Sequence, residues 1–299
     1  MRVLAEVAAR GSIAGAAQAL HLTPSAVSQQ IATLEREVGI ALLERGPRSV
    51  RLTPAGATLS AEASRIVARL REIEATVRAV GGLQTGVLRI GAFGSATSAL
   101  VVPALNLFSD RHPEMDISFF EGDPEDCVPR LRGGELDVVV TYEYDLVPLA
   151  SDDALRRVPL LHDPIYVALR EDHTLCAAEH VRLEDLRDAR WIGEPRGDCH
   201  LFTIRACAQH GFDAHVDVSS SDYDVSMELL ASCGAVALVP ALAAREPPPG
   251  VAIRPLKGSP FARRIDVTHR AGGERLPAVA AMVAALQDAA AGCRLDAAA

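Results

Sequence analysis

Ser12-Ile13-Ala14-Gly15-Ala16-Ala17-Gln18-Ala19-Leu20-His21-Leu22-Thr23-Pro24-Ser25-Ala26-Val27-Ser28-Gln29-Gln30-Ile31 sets two short helices on either side of a tight turn. The serine N-cap and the Ala/Leu-rich run behind it predict a helix that breaks at His21-Leu22. Thr23 caps the next helix, with Pro24 at its first position, where a missing N–H costs nothing. Gly39 suits that helix's left-handed close. On it Val27, Ile31, Leu34 and Val38 recur at four, three and four residues. That stripe is expected to pack on the preceding helix. The opposite face carries Ser25, Ser28, Gln29 and Gln30 beside the positive end of the helix dipole, free to reach base edges or phosphates.

Beyond Gly39, Ile40 to Arg45 leads into Gly46-Pro47-Arg48-Ser49 and then Val50-Arg51-Leu52-Thr53. Two short strands around a Gly-Pro turn are expected. Arg45, Arg48 and Arg51 stand on or beside the tip, as a wing lying along a phosphate backbone requires. Taken alone, the hairpin reads equally well as a solvated basic loop; the bare polar helix face beside it favours the wing.

Gly11-Ser12, Ala16-Ala17, Leu20, Thr23 through Ile31, Leu34-Glu35, Gly39, Leu42-Leu43, Arg45 and Leu52-Thr53-Pro54-Ala55-Gly56 together resemble the winged helix-turn-helix of LysR-type transcriptional regulators. The chain departs from the family pattern at Leu43, where phenylalanine is usual, a swap between apolar residues of similar volume. With little sequence before Leu4, the first helix is expected to be short and the start trimmed. The resemblance implies sequence-specific reading of double-stranded promoter DNA by Thr23, Pro24, Ser25, Ser28, Gln29, Gln30, Arg45, Arg48 and Arg51.

Charge distribution agrees with a basic head on an acidic body. The formal net charge of the chain is −9, which alone argues against nucleic acid. Residues 1–85, however, hold ten arginines, seven glutamates and no aspartate, a net of +3, leaving −12 for the remainder. From Thr53-Pro54 to about Val80 a long helix is predicted. Leu59, Ile66, Ile73 and Val80 are spaced by seven, and Ala63, Leu70 and Val77 interleave them in an a/d seam. Such a stripe packs either on its own domain or on a partner helix. The resemblance implies the latter: a linker helix that pairs two subunits, giving a homodimer or a dimer of dimers on a partly palindromic site. Gly81-Gly82-Leu83-Gln84-Thr85-Gly86 is a linker by composition.

Past it, strand and helix alternate at βαβ spacing. Strands are expected at Val87–Gly91, Asp116–Glu121, Leu136–Thr141, Pro164–Leu169, Trp191–Gly193, Ala214–Val218, Ala235–Pro240 and Arg264–His269. Helices are expected through Leu105–Phe108, Pro124–Arg132, Leu201–His210, Val225–Ser232 and Pro277–Ala290. Two α/β lobes with a late returning strand have the layout of a periplasmic-binding-protein-like clamp, and the resemblance implies the same: the fold class expected is an N-terminal winged helix-turn-helix head with a long linker helix, then an α/β two-lobed, periplasmic-binding-protein-like effector domain. Boundaries fall at 1–57 for the head, 58–83 for the linker helix and 86–299 for the effector-binding domain. Lobe I is expected at about 86–160 and 268–299, lobe II at about 161–267, joined by strands near Val158–Tyr166 and Arg264–His269.

Ligands of open α/β sheets lie beyond the carboxyl ends of strands. That rule selects Ser95, Ala96, Thr97, Gly122, Asp123, Thr141 and Tyr142 on one lobe, and Glu194, Pro195, Ser219, Ser221 and Asp222 on the other. Each can equally be a cap or turn residue; the resemblance favours Ser95 and Thr97 as effector contacts. Glu121, Asp123, Glu143, Glu194 and Asp222 would line the cleft with acid, pointing to a cationic or hydroxylated effector.

Six cysteines are scattered without a C-x-x-C pair. Cys199 and Cys207 lie where peroxide-sensing members of the resembling family carry a disulfide switch, so a thiol redox-sensing regulator is the alternative reading. A Cys199/His200/Cys207/His210 metal site matches no zinc spacing, and neither metal nor cofactor is expected. The chain holds no G-x-S-x-G elbow, H-E-x-x-H or phosphate-binding loop, so no enzyme is expected. A solute-binding protein could use the same clamp but has no use for residues 1–56. No apolar run reaches eighteen residues, and Met1-Arg2-Val3 opens no signal-peptide pattern. The expected partners are DNA, a small-molecule effector, RNA polymerase and a second copy of the chain, in the cytoplasm and away from any membrane.

Overall fold

The computed structural model describes residues 2–45, 50–80, 86–220, 222–258, 261–293 and 295. The head opens with α1 (Arg2–Arg10), α2 (Ile13–Ala19) and α3 (Pro24–Val38). Ser12 Oγ accepts the Gly15 N–H at 3.0 Å and Thr23 Oγ1 the Ala26 N–H at 3.2 Å, so both helices start at side-chain caps. Between them His21 takes φ 54°, a left-handed turn for a non-glycine residue. Gly39 closes α3 at φ 72°. Leu4, Val7, Ala16, Val27, Ile31 and Leu42 form the head's core, and α1, nine residues long, packs against α2, α3 and α4.

The wing strands β1 (Leu43–Arg45) and β2 (Val50–Leu52) pair antiparallel. The turn Gly46-Pro47, with Arg48 and Ser49, lies outside the described residues. One expectation fails: Val38 is exposed rather than packed in the stripe, because α3 has by then run past the core.

Thr53 starts α4 (Pro54–Val80), accepting the Gly56 N–H at 3.0 Å while donating to the Ala41 carbonyl at 2.8 Å. At 27 residues this helix is about 40 Å long. Its seam divides in two. Leu59 joins the head's core and Ala63 is fully buried within this chain, so the first two positions are covered without a partner helix, correcting the reading of the whole seam as a partner contact. Ile66, Leu70, Ile73 and Val77 are exposed, by 48% to 66%. The side chain of Val80 and residues 81–85 lie outside the described residues.

The effector domain begins with β3 (Gly86–Ala92), then a continuous helical run: α5 (Gly94–Ala96), a π turn (Thr97–Val101) and α6 (Val102–Arg111). After β4 (Met115–Glu121), α7 (Pro124–Arg132) and β5 (Val138–Tyr144) comes β6 (Leu155–Arg170). β7 (Trp191–Gly193), α8 (Gly197–Gln209), β8 (Val216–Ser219), α9 (Tyr223–Cys233), β9 (Ala237–Pro240), β10 (Val251–Pro255), β11 (Ala262–Arg270) and α10 (Pro277–Gly292) complete it.

β4, β3 and β5 run parallel; β11 joins β5 antiparallel, and β6 joins β11 antiparallel. The two lobes exchange at one point on β6. Residues up to Pro164 pair with β11, whereas Ile165 to Ala168 pair with β9 and Tyr166 to Arg170 with β10. α10 returns to pack on α6. Since β11 pairs with lobe I strands from Ala262 onward, residues 262–267 run with lobe I, where lobe II was expected. β6 is a single 16-residue strand, longer than its sequence suggests, because Pro159 and Pro164 interrupt the strand signal. A register shift opposite Ile265/Asp266 absorbs the first of them. Among the described residues no helix is long and apolar enough to cross a membrane.

Gly56 sits where α4 meets the wing, and a Cβ there would be driven into the backbone of Leu42. Gly56→Ala should therefore cost the head roughly 1–3 kcal/mol. Limited proteolysis is expected to cut residues 1–57 faster while the effector domain resists as before; identical digestion of both chains would contradict this packing.

Candidate functional site

The first turn of α3 presents a bare polar face. Thr23, Pro24, Ser25, Gln29 and Gln30 are exposed and Ser28 is half-buried; the Thr23 and Ser25 hydroxyls lie 3.0 Å apart. Arg45 ends β1 and Arg51 is exposed on β2, while Arg48 is outside the described residues. Glu35, absent from the sequence-derived site, organises this surface. Its Oε1 accepts the N–H groups of Leu42 at 2.8 Å and Leu43 at 3.2 Å, bracketing the wing to the reading helix. An acid on a basic head is thereby occupied by backbone donors.

A cleft of about 1120 Å³ opens between the lobes. Phe93, Gly94, Ser95, Thr97, Ser98, Glu121, Gly122, Asp123 and Tyr142 line it from lobe I; Glu194, Asp222, Tyr223, Asp224, Glu228, Arg245 and Glu246 line it from lobe II. Its floor is Arg263, from β11, 1% exposed. Arg263 Nε donates to Asp163 Oδ2 at 2.8 Å and Nη2 to Ser95 Oγ at 2.7 Å. Its guanidinium carbon stands 4.9 Å from the Phe93 ring and 5.4 Å from the Tyr142 ring. Asp163, fully buried on β6, also accepts the Leu242 N–H at 3.0 Å. Burial pushes its carboxyl up, while Arg263 and the backbone donors of Leu242 and Ala241 pull it back.

The carboxylates above the floor are strained electrostatically. Burial first, then Asp123 and Glu125, raises Glu194 to about 7. Asp123 is raised by burial and opposed by Tyr142, whose Oη donates to it at 3.3 Å. Glu125 is raised too, by burial and then by Asp198, Asp123 and Asp126, and Asp198 by burial and then Asp123, with Arg205 opposing.

Of the sequence-selected residues, Ser95, Thr97, Glu121, Gly122, Asp123, Tyr142, Glu194 and Asp222 meet in this cleft. Three do not. Ala96 is fully buried in the lobe I core. Thr141 lies buried between β5 and β11, its hydroxyl 2.9 Å from that of Thr268, because alternate side chains of a strand face opposite ways and Tyr142 takes the cleft side. Glu143 turns away to Arg157 at 3.2 Å and Arg264 at 2.6 Å. Pro195 and Ser219 are not among the lining residues, and Ser221 is outside the described ones. Arg263 went unrecognised in sequence because Arg263-Arg264 reads as a solvated basic pair. Its one signal is the same alternation, which buries Arg263 and leaves Arg264 on the other face.

Cys199 and Cys207 both sit on α8, eight residues apart on one helix. Two helical turns separate them by roughly 12 Å, well beyond the Cα separation a disulfide spans. Burial pushes the Cys207 thiol up to about 12 and raises Cys199 as well, with Glu194 adding to the latter. Neither is primed as a thiolate, so the geometry does not support the redox reading. His200 Nδ1 is 2.9 Å from the Glu194 carbonyl oxygen and His210 Nδ1 is 2.9 Å from Glu184 Oε1; among the described residues no group of three such side chains is placed to hold a metal.

Comparison with known proteins gives both halves a family. Residues 1–57 match the model of the bacterial regulatory helix-turn-helix protein, lysR family, and residues 81–291 match the LysR substrate binding domain. The chain belongs to the LysR family of DNA-binding transcriptional regulators, with a helix-turn-helix domain and an effector-binding domain. It is 30% identical to the probable HTH-type transcriptional regulator LrrA of Synechococcus elongatus, across 97% of this chain and 96% of that one. Its fold is that of full-length OxyR from Pseudomonas aeruginosa, with a TM-score of 0.72 at 24% identity over 98% and 94% of the two chains. CbnR, solved full-length with its target DNA, has the same fold at a TM-score of 0.57 and 22% identity, over 97% and 98%.

Two outcomes test the site's electrostatics. Asp163→Leu leaves the Arg263 charge buried without its partner and should lower stability by about 3–5 kcal/mol, a fall that Asp163→Leu/Arg263→Met largely reverses in thermal melts. For Glu194, the folded chain holds near pH 6 a proton that an unfolded glutamate, at about 4.5, has released. Its stabilising contribution is therefore full below pH 4.5 and lost as pH rises through about 7. The melting temperature should fall between pH 5 and pH 8 by more in the wild-type chain than in Glu194→Gln; equal falls would refute the shift.

Proposed function

We propose that this regulator reads DNA as a dimer whose paired heads insert α3 into successive major grooves, with Thr23, Pro24, Ser25, Ser28, Gln29 and Gln30 at base edges and phosphates and Arg45, Arg48 and Arg51 along the backbone. A small molecule bound between the lobes, at Ser95, Thr97, Gly122, Asp123, Tyr142, Glu194 and Asp222, changes the angle between them. The α4 pair transmits that change to head spacing, altering DNA bend and contact with RNA polymerase in the cytoplasm. Differential affinity of the effector for two lobe arrangements is the thermodynamic requirement.

The observation that carries this reading is the exposed row Ile66, Leu70, Ile73 and Val77 on the helix that leads from the head toward the clamp. Four large apolar side chains at coiled-coil spacing on one solvent-facing stripe favour a partner helix. Leu70→Glu/Ile73→Glu should give a monomer in analytical ultracentrifugation. It should also weaken retention of DNA from beside the protein's own gene by at least tenfold, since two half-sites no longer bind together. A variant that stays dimeric and holds the fragment as tightly as wild type would remove the seam's role, and a wild-type chain that shifts no such fragment at low salt would remove the reading as a whole.

A further inference from the structure

Resting on the reading that the wing's arginines follow the phosphate backbone, we infer that Glu35 is a positioning residue for DNA binding, whose carboxylate fixes the direction in which the wing leaves the reading helix. The link between the two is short and exposed. Gly39 ends α3 in the left-handed region, and the two residues that follow, Ile40 and Ala41, face solvent, Ile40 by 54%. Beyond them Leu42 and Leu43 enter the head's core. Apolar burial holds the foot of the wing in place but has no direction of its own. Direction comes from Glu35 Oε1, which accepts the N–H groups of both residues, at 2.8 Å and 3.2 Å.

The peptide group between Leu42 and Leu43 is held at both ends, its N–H by Glu35 and its carbonyl by the Thr53 N–H at 3.0 Å. Thr53 Oγ1 also donates to the Ala41 carbonyl at 2.8 Å and accepts the Gly56 N–H in the first turn of α4. The reading helix and the start of the linker helix thus grip one segment, Ala41–Leu43. The wing grows out of that segment, with Arg45 at the end of β1 and Arg51 on β2 opposite Glu44. A glutamate on a DNA-reading head ordinarily opposes the phosphates, so the sign of its contribution separates two roles. As a solvated acid, Glu35 weakens DNA binding and its removal tightens it. As the wing's anchor it acts the other way: its removal frees the peptide group, lets the wing swing on Ile40-Ala41 and forfeits phosphate contacts.

The test is fluorescence anisotropy of a labelled DNA fragment from beside the protein's own gene, titrated with the full-length chain at several salt concentrations. Each phosphate contact adds about 0.9 to the slope of log affinity against log salt, so Arg45→Ala/Arg51→Ala should make that slope shallower by roughly 2. Glu35→Ala should weaken binding at least tenfold at low salt and make the slope shallower by about 1 or more. Glu35→Gln, which keeps an acceptor oxygen at the same reach, should retain the wild-type slope. Adding Glu35→Ala to the arginine pair should change little further, because both act through the same contacts. Glu35→Asp, a methylene too short to reach both N–H groups, takes the place of Glu35→Ala if that variant does not fold. Tighter binding or an unchanged slope in Glu35→Ala, an equally shallow slope in Glu35→Gln, or losses that add to those of the arginine pair would overturn the inference and leave the wing reading in place. An unchanged slope in Arg45→Ala/Arg51→Ala removes the wing reading itself, and the inference with it.

Discussion

The ion pair of Arg263 and Asp163 is the point on which the effector half is organised. Both residues lie on strands that run through the junction of the lobes, and both are withdrawn from water. Their other hydrogen bonds reach outward, from Arg263 to Ser95 in lobe I and from Leu242 of lobe II to Asp163. A buried pair of this kind contributes little net stability compared with an apolar substitute, since desolvation offsets its attraction. Its effect is on geometry. It fixes the floor of the cleft to both lobes, so a ligand resting on that floor acts on the junction itself. Phe93 and Tyr142 press their rings against the guanidinium and deny it other orientations.

Around this pinned floor the rest of the cleft is loaded with negative charge. Seven carboxylates line it against Arg245 and Arg263, and although the Arg263 charge eases both Asp123 and Glu194, burial and acidic neighbours still raise the two. The head shows the opposite economy. There Glu35 is absorbed by two backbone N–H groups, and the N-terminal half of α3 exposes polar, uncharged side chains beside the wing. One chain thus keeps a mildly basic reader and a strongly acidic sensor apart, with α4 emerging from the reader as a stalk.

Much of this was legible in the sequence where local chemistry decides the outcome. Ser12, Thr23, Pro24 and Gly39 place the head's helices within a residue, because caps act on the turn that contains them. Pro124–Arg132 is legible in full because Pro124 marks its first turn, although Asp123 caps no N–H there. What stayed hidden depends on tertiary neighbours. The long β6 is masked by Pro159 and Pro164, which a strand tolerates only because a bulge and a change of partner fall beside them. Arg263 and Arg264 are identical in composition, and only the pleat buries one and exposes the other. Thr141 and Tyr142 divide the same way, the former sealed against β11 and the latter facing the cleft. In α4 the heptad positions are uniform in sequence, yet Leu59 goes to the head's core and Ala63 is covered within the chain.

The π turn at Thr97–Val101 gives the cleft an adjustable edge. A π turn amounts to one extra residue inserted into an α-helix, and here it carries Thr97 and Ser98, which face the cleft, at its start and runs into α6, whose Phe108 is fixed in the core. Loss of one residue within that turn would restore regular winding without moving Phe108. It would turn the cleft-facing start of the helical run by about 100° relative to α6. Relatives of this protein could therefore exchange the hydroxyls offered to a ligand through a change in length at one position, leaving the lobe's interior as it is.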